Sequence, residues 1–292
     1  MNCINSTTIN QRYLNEIENF RLFDDDFMSK VFGFRPEETE FLLQKILKKD
    51  DLKVIESIPE YSIKNLQGKS IRLDIKAIDS ENRLYDIEIQ RANEGSVPQR
   101  ARYYSGLIDS NIMDKGDVPW GDLPECFVIF ITEKDTLKGN KPIYHVERMI
   151  IETDELFNDK EHIVYVNGAY ESNDDLGKLM HDFKCKNPDD MYYEILKNRT
   201  KYFKETMEGK RDMCEAMERL KNEGRAEGIV EGRAEGIVEG RIEGINEGIV
   251  QGKEAMVYNL LDLLDDETLS QASGLPIENV KKIRKARKKK FM

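Results

Sequence analysis

The amino-acid sequence predicts an α/β core of two or three layers followed by a helical extension of different composition. Three observations lead there. Two short segments, 70–77 (SIRLDIKA) and 84–90 (LYDIEIQ), alternate apolar and polar residues with period two around a connector holding Asp, Ser and Asn, the pattern of a β-hairpin. Helical and strand patterns interleave along the first two thirds of the chain, the order of an α/β core rather than an all-β one. From Glu223 a glycine then recurs at every fourth residue as far as Gly252.

The elements follow in order. Residues 11–20 and 26–32 read as short helices around an acidic turn. Pro36, followed by Glu37, Glu38 and the apolar Phe41, Leu42, Leu43, Ile46 and Leu47, signals an amphipathic helix. Residues 52–58 read as a strand and 61–66 as another, leading into the hairpin. After Gln90 a Gly-Ser-Val-Pro boundary precedes a helix over 97–113. Strands are expected at 126–131, 143–151 and 163–166. A helical region over 174–220 is interrupted near Asn187-Pro188.

The hairpin carries the chemistry. Alternation puts Arg72, Asp74 and Lys76 on one face of its first strand, and Asp86, Glu88 and Gln90 on one face of its second. Paired in register, two carboxylates face one another, and like charges across a ladder are destabilising. A cation between them removes that penalty, and hard oxygen ligands suit Mg²⁺.

At Asp74, at Glu88 fourteen residues on, and at the Glu88-Ile89-Gln90 triplet, the chain resembles the core of PD-(D/E)XK nucleases. More narrowly it resembles the Rpn family of recombination-promoting nucleases and transposases, where Gln stands at the usual Lys position. Three further stretches support the likeness: Asp24-Asp25-Asp26-Phe27-Met28-Ser29-Lys30-Val31-Phe32-Gly33, Arg100-Ala101-Arg102-Tyr103-Tyr104, and the apolar strand 126–131. The resemblance covers roughly residues 15–200, together with the character of the tail, and implies a restriction-endonuclease-like mixed sheet flanked by helices within a domain expected at 1–222. It implies a DNA endonuclease using Mg²⁺ (or Mn²⁺), with no organic cofactor. It names Asp74, Glu88 and the Ile89 carbonyl as metal ligands. A phosphodiester needs such an ion to polarise the phosphoryl oxygen and to make hydroxide near neutral pH. Gln90 stands where relatives have a lysine that orients the nucleophile; an amide hydrogen-bonds a water but carries no charge. Lys76, on the same strand face as Asp74, is the candidate for that charge. Gln99 and Tyr103, four apart on the following helix, with Arg100 and Arg102 beside them, are candidates to support the site or hold the DNA phosphate. Asp24, Asp25 and Asp26 either cap the opening helix or lend one acid to the ion. The rival reading is a catalytically weak or inactive nuclease fold serving as a DNA-binding or oligomeric scaffold.

Composition narrows the class further. The chain has 292 residues, 39% hydrophobic and 35% charged, polar but not disordered by composition. The strongly apolar run at 126–131 is far too short to span a membrane. The N-terminus has no basic region followed by an apolar stretch, so no signal peptide is expected. Cys3, Cys126, Cys185 and Cys214 lie far apart, with no zinc-type spacing, as expected of reduced thiols in a cytoplasm. Trp120 is expected to pack in the core or a loop. No Ser-His-Asp array, P-loop or dinucleotide fingerprint occurs.

The net charge is −11, which argues against a protein that coats nucleic acid. Residues 281–292, however, hold Lys281, Lys282, Arg284, Lys285, Arg287, Lys288, Lys289 and Lys290 and no acid, leaving 37 bases against 56 acids elsewhere. Such a run either seeks phosphate or merely solubilises an acidic body. Just before it, Leu269, Gly274, Val280 and Ile283 have the spacing of a helix-turn-helix, for DNA or as a plain helical hairpin. The expected division is therefore 1–222, a repeat segment at 223–252, and a small helical tail at 253–292.

The repeat is the least ordinary stretch. Seven of its glycines follow a glutamate, and EGRAEGIV occurs twice in succession. In a helix a four-residue period drifts about 40° per unit, so no single face stays fixed. Each interior glycine costs about 1 kcal/mol against alanine, and glutamates four apart repel. The segment is thus either a helix partnered in a homo-oligomer or a loosely ordered spacer.

Overall fold

The structure is a computed structural model, and it describes residues 11–91, 96–112 and 119–290. It divides into two compact units, 1–219 and 220–292. The first unit is built on a six-stranded mixed sheet in the order β1-β2-β3-β4-β8-β5. Helices α1 (Gln11–Asn19), α2 (Asp25–Phe32) and α3 (Pro36–Leu47) come first, then strands β1 (Val54–Ile63), β2 (Ile71–Asp79) and β3 (Leu84–Gln90). Helix α4 (Pro98–Ile112) crosses to β4 (Cys126–Thr132). Strand β5 (Ile143–Val146) is followed by a separate ribbon, β6 (Met149–Ile150) with β7 (Glu155–Leu156), and then by β8 (Glu161–Asn167). Helices α5 (Asp175–Lys184) and α6 (Glu194–Glu205) close the unit, with a short 3-10 turn at Pro188–Asp190 between them.

The layers follow from which strand face is apolar. Strands β3, β4 and β8 run parallel, and the central β4 is buried at all seven positions, as a strand covered on both faces must be. One face packs Tyr85, Ile87, Phe127 and Ile129 against Phe27, Leu42, Phe183 and Phe203 of α2, α3, α5 and α6. The other face packs Val128, Phe130 and Tyr165 against Ala101, Tyr104 and Ile108 of α4. Three layers result, with one helix alone covering the second face.

Buried polar groups fasten these layers. Lys204 of α6 donates to the carbonyls of Phe20 at 2.6 Å and of Glu18 and Lys186, tying three chain segments together. Burial pushes its pKa down to about 8. Asp182 of α5 accepts the backbone N–H groups of Tyr192 and Tyr193 at 2.8 and 2.9 Å, which fixes the loop before α6. At the β2–β3 turn, Asp79 is wholly buried and accepts from the Arg83 and Glu81 N–H groups, the Arg83 guanidinium at 2.6 Å and the Tyr85 hydroxyl at 2.8 Å. Asn82 takes the left-handed conformation that the turn needs (φ 61°).

Several expectations change. The two strands expected at 52–58 and 61–66 are one continuous strand, β1. Pro59 lies inside it, opposite Ile75. It is tolerated because β1 is an edge strand, where a missing N–H breaks no ladder. The strand expected at 143–151 breaks after Val146, where the chain leaves the sheet. Trp120 is not in the core: it sits in a 3-10 turn and is 82% exposed. Cys126, Cys185 and Cys214 are free thiols; Cys3 lies outside the described residues.

Helix α7 (Met207–Leu260) contains the whole repeat. Its ends carry buried side chains, Met213 and Ala216 near the start and Val257 near the end. Its middle exposes Ile229, Val230, Ile237, Val238, Ile242 and Ile245. Among the described residues, nothing beyond the helix's own neighbouring backbone lies within 4 Å of where a Cβ would stand on Gly224 to Gly252 of the repeat. In the second unit, α8 (Asp266–Ser273) and α9 (Ile277–Lys290) meet at Gly274 (φ +66°) as a helix-turn-helix pair. Leu269 and Val280 are buried with Val257, Leu261 and Leu275, and Ile283 packs beside them. No helix among the described residues is long and apolar enough to cross a membrane.

The Asp79 cluster gives a direct test. Burial raises its carboxyl, but hydrogen bonds from the Arg83 side chain and backbone and from Tyr85 outweigh this and hold it below the usual aspartate range. A depressed folded pKa contributes stability above the unfolded value of about 3.9 that is lost as pH falls below it. Asp79→Ala leaves Arg83 and Tyr85 without their acceptor and should cost roughly 3–5 kcal/mol at pH 7 in urea denaturation. A loss of under about 1 kcal/mol, or one unchanged on acidification to pH 3, would contradict the assignment.

Candidate active site

The β2–β3 ladder runs antiparallel with Lys76 opposite Asp86 and Ile75 opposite Ile87, and it ends there, one residue short of Asp74 and Glu88. Beyond Ile75 the acids themselves bridge the strands. Glu88 Oε1 accepts the Asp74 N–H at 3.0 Å, and Asp74 Oδ2 accepts the Ile89 N–H at 2.8 Å. Asp86 and Glu88 have no exposed surface, although β3 is otherwise an apolar strand. They lie on the sheet face that α4 covers. From α4, Arg100 reaches down and donates to Glu88 Oε2 at 2.5 Å. Its guanidinium lies 4.8 Å from the Tyr104 ring and 5.8 Å from Phe130.

Three acids share this pocket with one close cation, and their protonation records it. Burial, opposed by the Ile89 N–H, pushes Asp74 up to about 6; the Asp25 charge adds to this, and Arg100 and Arg72 oppose it. Burial and then the Asp74 charge push Glu88 up to about 8 against Arg100. Asp86 is raised most clearly, by burial and by the charges of Glu88 and Asp74. Neither Asp86 oxygen meets an N–H or O–H donor of another group, and a hydrogen bond to the neighbouring Glu88 carboxyl forms only when one of the two acids is protonated. A buried carboxylate with two orphaned oxygens is costly, and sites of this kind are where function concentrates.

The other expected residues divide. Gln90 ends β3, half-buried and opposite Thr132 of β4. Lys76 places its ammonium 4.3 Å from the centre of the Tyr61 ring on β1, so its charge faces an aromatic surface. Tyr103 does not reach the acids: its hydroxyl donates to the Lys69 carbonyl at 2.5 Å and accepts from Asn65, closing the β1–β2 turn. Gln99, Arg102 and Tyr103 instead line a groove of about 920 Å³ with Lys69 and Arg100. Arg100 and Tyr104 border both the groove and the carboxylate pocket. Asp24 does not cap α2 through its side chain; its carboxylate accepts from the Arg21 N–H and the Arg91 guanidinium at 2.7 and 2.8 Å. Asp25 accepts the Asp26 N–H, and it is the acid of the three whose charge reaches Asp74.

Asp86 is the site residue that the motif spacing passes over. Its signal was an acid in a strand otherwise reading as buried, two residues before Glu88. In the tail, two of the eight cations are structural. Arg284 donates to Asp266 at 2.6 Å and to the Leu261 and Leu264 carbonyls at 2.5 and 2.8 Å. Arg287 donates to the Tyr258 carbonyl and to Asp262 at 2.9 and 2.6 Å. They cap the end of α7, where cations and donors are favoured. Lys281, Lys282 and Lys285 are exposed; the side chains of Lys288, Lys289 and Lys290 lie outside the described set.

A mixed sheet flanked by helices, with facing acids on an antiparallel pair, defines a PD-(D/E)XK-like nuclease core. The chain belongs to the PD-(D/E)XK nuclease family transposases: the model of that family matches residues 27–213, from α2 through the whole sheet into α7. No curated protein and no solved structure matches the chain.

The donor set fits a hard divalent ion, since it is all oxygen, carries excess negative charge and includes the two orphaned Asp86 oxygens. Among the described residues, the metal-type ligand atoms that converge within 4.8 Å of one another lie elsewhere, on His181, Asp182 and Cys185. That set suits a softer ion than Mg²⁺. Asp182 is already engaged by two backbone N–H groups, and burial pushes the Cys185 thiol up to about 11, away from the thiolate that binds metal.

Arg100 now occupies the position of counter-charge to Glu88. Arg100→Ala should lower stability in EDTA by roughly 2–4 kcal/mol, because it leaves a buried carboxylate unpaired. Millimolar Mg²⁺ should restore more of that loss in the variant than it adds to the wild type. An equal Mg²⁺ response in both, measured by thermal unfolding, would separate Arg100 from the metal site.

Proposed function

We propose that the chain is a metal-dependent DNA endonuclease that hydrolyses phosphodiester bonds, in recombination or element mobility. The observation that carries this reading is the group of three acids at the centre of a nuclease-family sheet, Asp86 and Glu88 fully buried and Asp74 partly so, with Arg100 as their close cation. Asp74, Glu88 and the Ile89 carbonyl would hold Mg²⁺ or Mn²⁺, which when bound polarises the phosphoryl oxygen and activates water. The chain's own residues then do the rest. Gln90 orients the attacking water by hydrogen bonding. Arg100, at the mouth of the groove, turns from Glu88 to a substrate phosphate, for which its planar fork is suited. Arg102 and Lys69 seat the next phosphates along the groove. Lys76 can add charge only by leaving the Tyr61 ring.

Residues 223–252 would join copies of the chain through the exposed Ile/Val positions of α7, and α9 would contact DNA with Lys281, Lys282 and Lys285. One observation favours the scaffold reading instead: Arg100 already neutralises Glu88 while Gln90 supplies no charge.

Plasmid nicking with Mg²⁺, Mn²⁺ and EDTA decides between the readings. Asp74→Ala and Glu88→Ala should each reduce metal-dependent nicking at least about 100-fold, the usual scale for losing electrostatic stabilisation of the transition state. Undiminished nicking by either purified, folded variant would remove the site assignment.

The tail is tested separately. Each phosphate contact adds about 0.9 to the slope of log K against log salt on duplex DNA. Replacing Lys281, Lys282 and Lys285 by Gln should therefore flatten that slope by up to about 2.7 while leaving the metal response unchanged. An identical slope would make these lysines a solvated face only.

A further inference from the structure

The turn that joins β1 to β2 ends in a bare leucine: Leu66 is 99% exposed. A lone exposed leucine needs no explanation, but two features set this one apart. The first is a brace. The Asn65 N–H donates to Ser70 Oγ at 3.1 Å, and Asn65 Oδ1 accepts the Gln67 N–H at 3.0 Å. From α4, Tyr103 accepts from Asn65 Nδ2 at 3.2 Å and donates to the Lys69 carbonyl at 2.5 Å. Leu66 is thus presented to solvent on a turn tied to the helix beside it.

The second feature is charge. Residues 61–73 hold Lys64, Lys69 and Arg72 and no acid. All three cations are exposed, and none forms an ion pair among the described residues. Arg102 of α4 is likewise exposed and without an ion pair. Glu60, the acid just before this stretch, is paired with Arg219 at 3.3 Å. In a chain of net charge −11, this is a local positive surface. It is also continuous with the groove: Lys69, Arg102 and Tyr103 line it together with Arg100, which reaches Glu88.

We propose that the β1–β2 turn enters a groove of duplex DNA, wedging Leu66 into a base step while Lys64 and Arg72 meet the flanking phosphates. This rests on the endonuclease reading of the carboxylates and names its substrate class: duplex that opens easily at one step, such as a mismatch. Apolar side chains inserted at a base step unstack it and kink the duplex, and unstacking costs least where pairing is already broken. The brace suits this role, because a side chain held in place beforehand loses little freedom on insertion. An anionic membrane would meet the same charges, but one leucine gives it too little apolar area to hold.

The test is DNA binding by the full-length chain in EDTA, which needs no cleavage and so is read separately from plasmid nicking. The wild type should bind a duplex with one central mismatch more tightly than the matched duplex and should bend it, seen as a rise in energy transfer between dyes at its two ends. Leu66→Ala should lose the bend and bind the mismatched duplex about tenfold more weakly, the scale of losing a buried leucine side chain, with its salt dependence unchanged. Lys64→Gln/Arg72→Gln should instead flatten the slope of log K against log salt by up to about 1.8. All three side chains face solvent in the free protein, so the variants should keep the wild-type circular dichroism. Equal bending and affinity for wild type and Leu66→Ala, an unbent duplex with the wild type, or an unchanged slope in the double variant would overturn the proposal. None of these results touches the nicking test of Asp74 and Glu88.

Discussion

Two acids, Asp86 and Glu88, are held without water beside a partly exposed third, Asp74, where the β2–β3 ladder ends, and the arrangement of the first unit around them follows from that cost. A buried, uncompensated carboxylate is strongly unfavourable, so the structure either neutralises it or supplies donors. The strands supply two backbone N–H groups, from Asp74 and Ile89, at the point where the regular ladder gives out. Helix α4 supplies a guanidinium from above. It also supplies Tyr104, whose own hydroxyl is pushed up to about 12 by burial and by the Glu88 charge. What remains is Asp86, whose raised pKa lets it stay protonated against Glu88 in the absence of a further cation.

The same logic separates working charges from structural ones elsewhere. Asp79, Asp182 and Lys204 are buried and fully engaged; each ties together backbone that would otherwise need separate partners. Arg284 and Arg287 sit in a run of cations, but their donors go to carbonyls at the end of α7 and to two acids. A charge run in sequence therefore overstates the charge available to a ligand, because helix ends compete for it. Arg100 stands between the two classes, engaged with Glu88 yet lining the groove.

Helix α7 carries the opposite problem. Glycine at every fourth position costs about 1 kcal/mol each relative to alanine, and among the described residues nothing outside the helix's own backbone approaches those positions to repay it. The buried residues at either end of α7 fix its termini, and its exposed Ile and Val side chains leave room for association. Helix α7 is one of several places where the chain leaves large apolar groups in water, with Phe34, Leu66 and Trp120 among the others.

The sequence by itself determined the hairpin, the position of Asp74 and Glu88, the amphipathic α3, the apolar β4 and the helix-turn-helix of the tail. In each case the signal is local: strand alternation, a proline at a helix start, an unbroken apolar run, or a glycine in a left-handed turn. Tertiary structure alone decided that β1 tolerates Pro59, since only its place at the sheet edge makes a missing N–H harmless. It decided that Trp120 faces solvent, that Tyr103 closes a turn rather than serving the acids, and that Lys76 lies over Tyr61. It also decided that Asp86 belongs to the site. Period two places a side chain on a face, but whether that face meets water or a helix depends on what packs there. Here α4 covers it, and a residue that reads as an ordinary strand acid becomes the least compensated charge in the site.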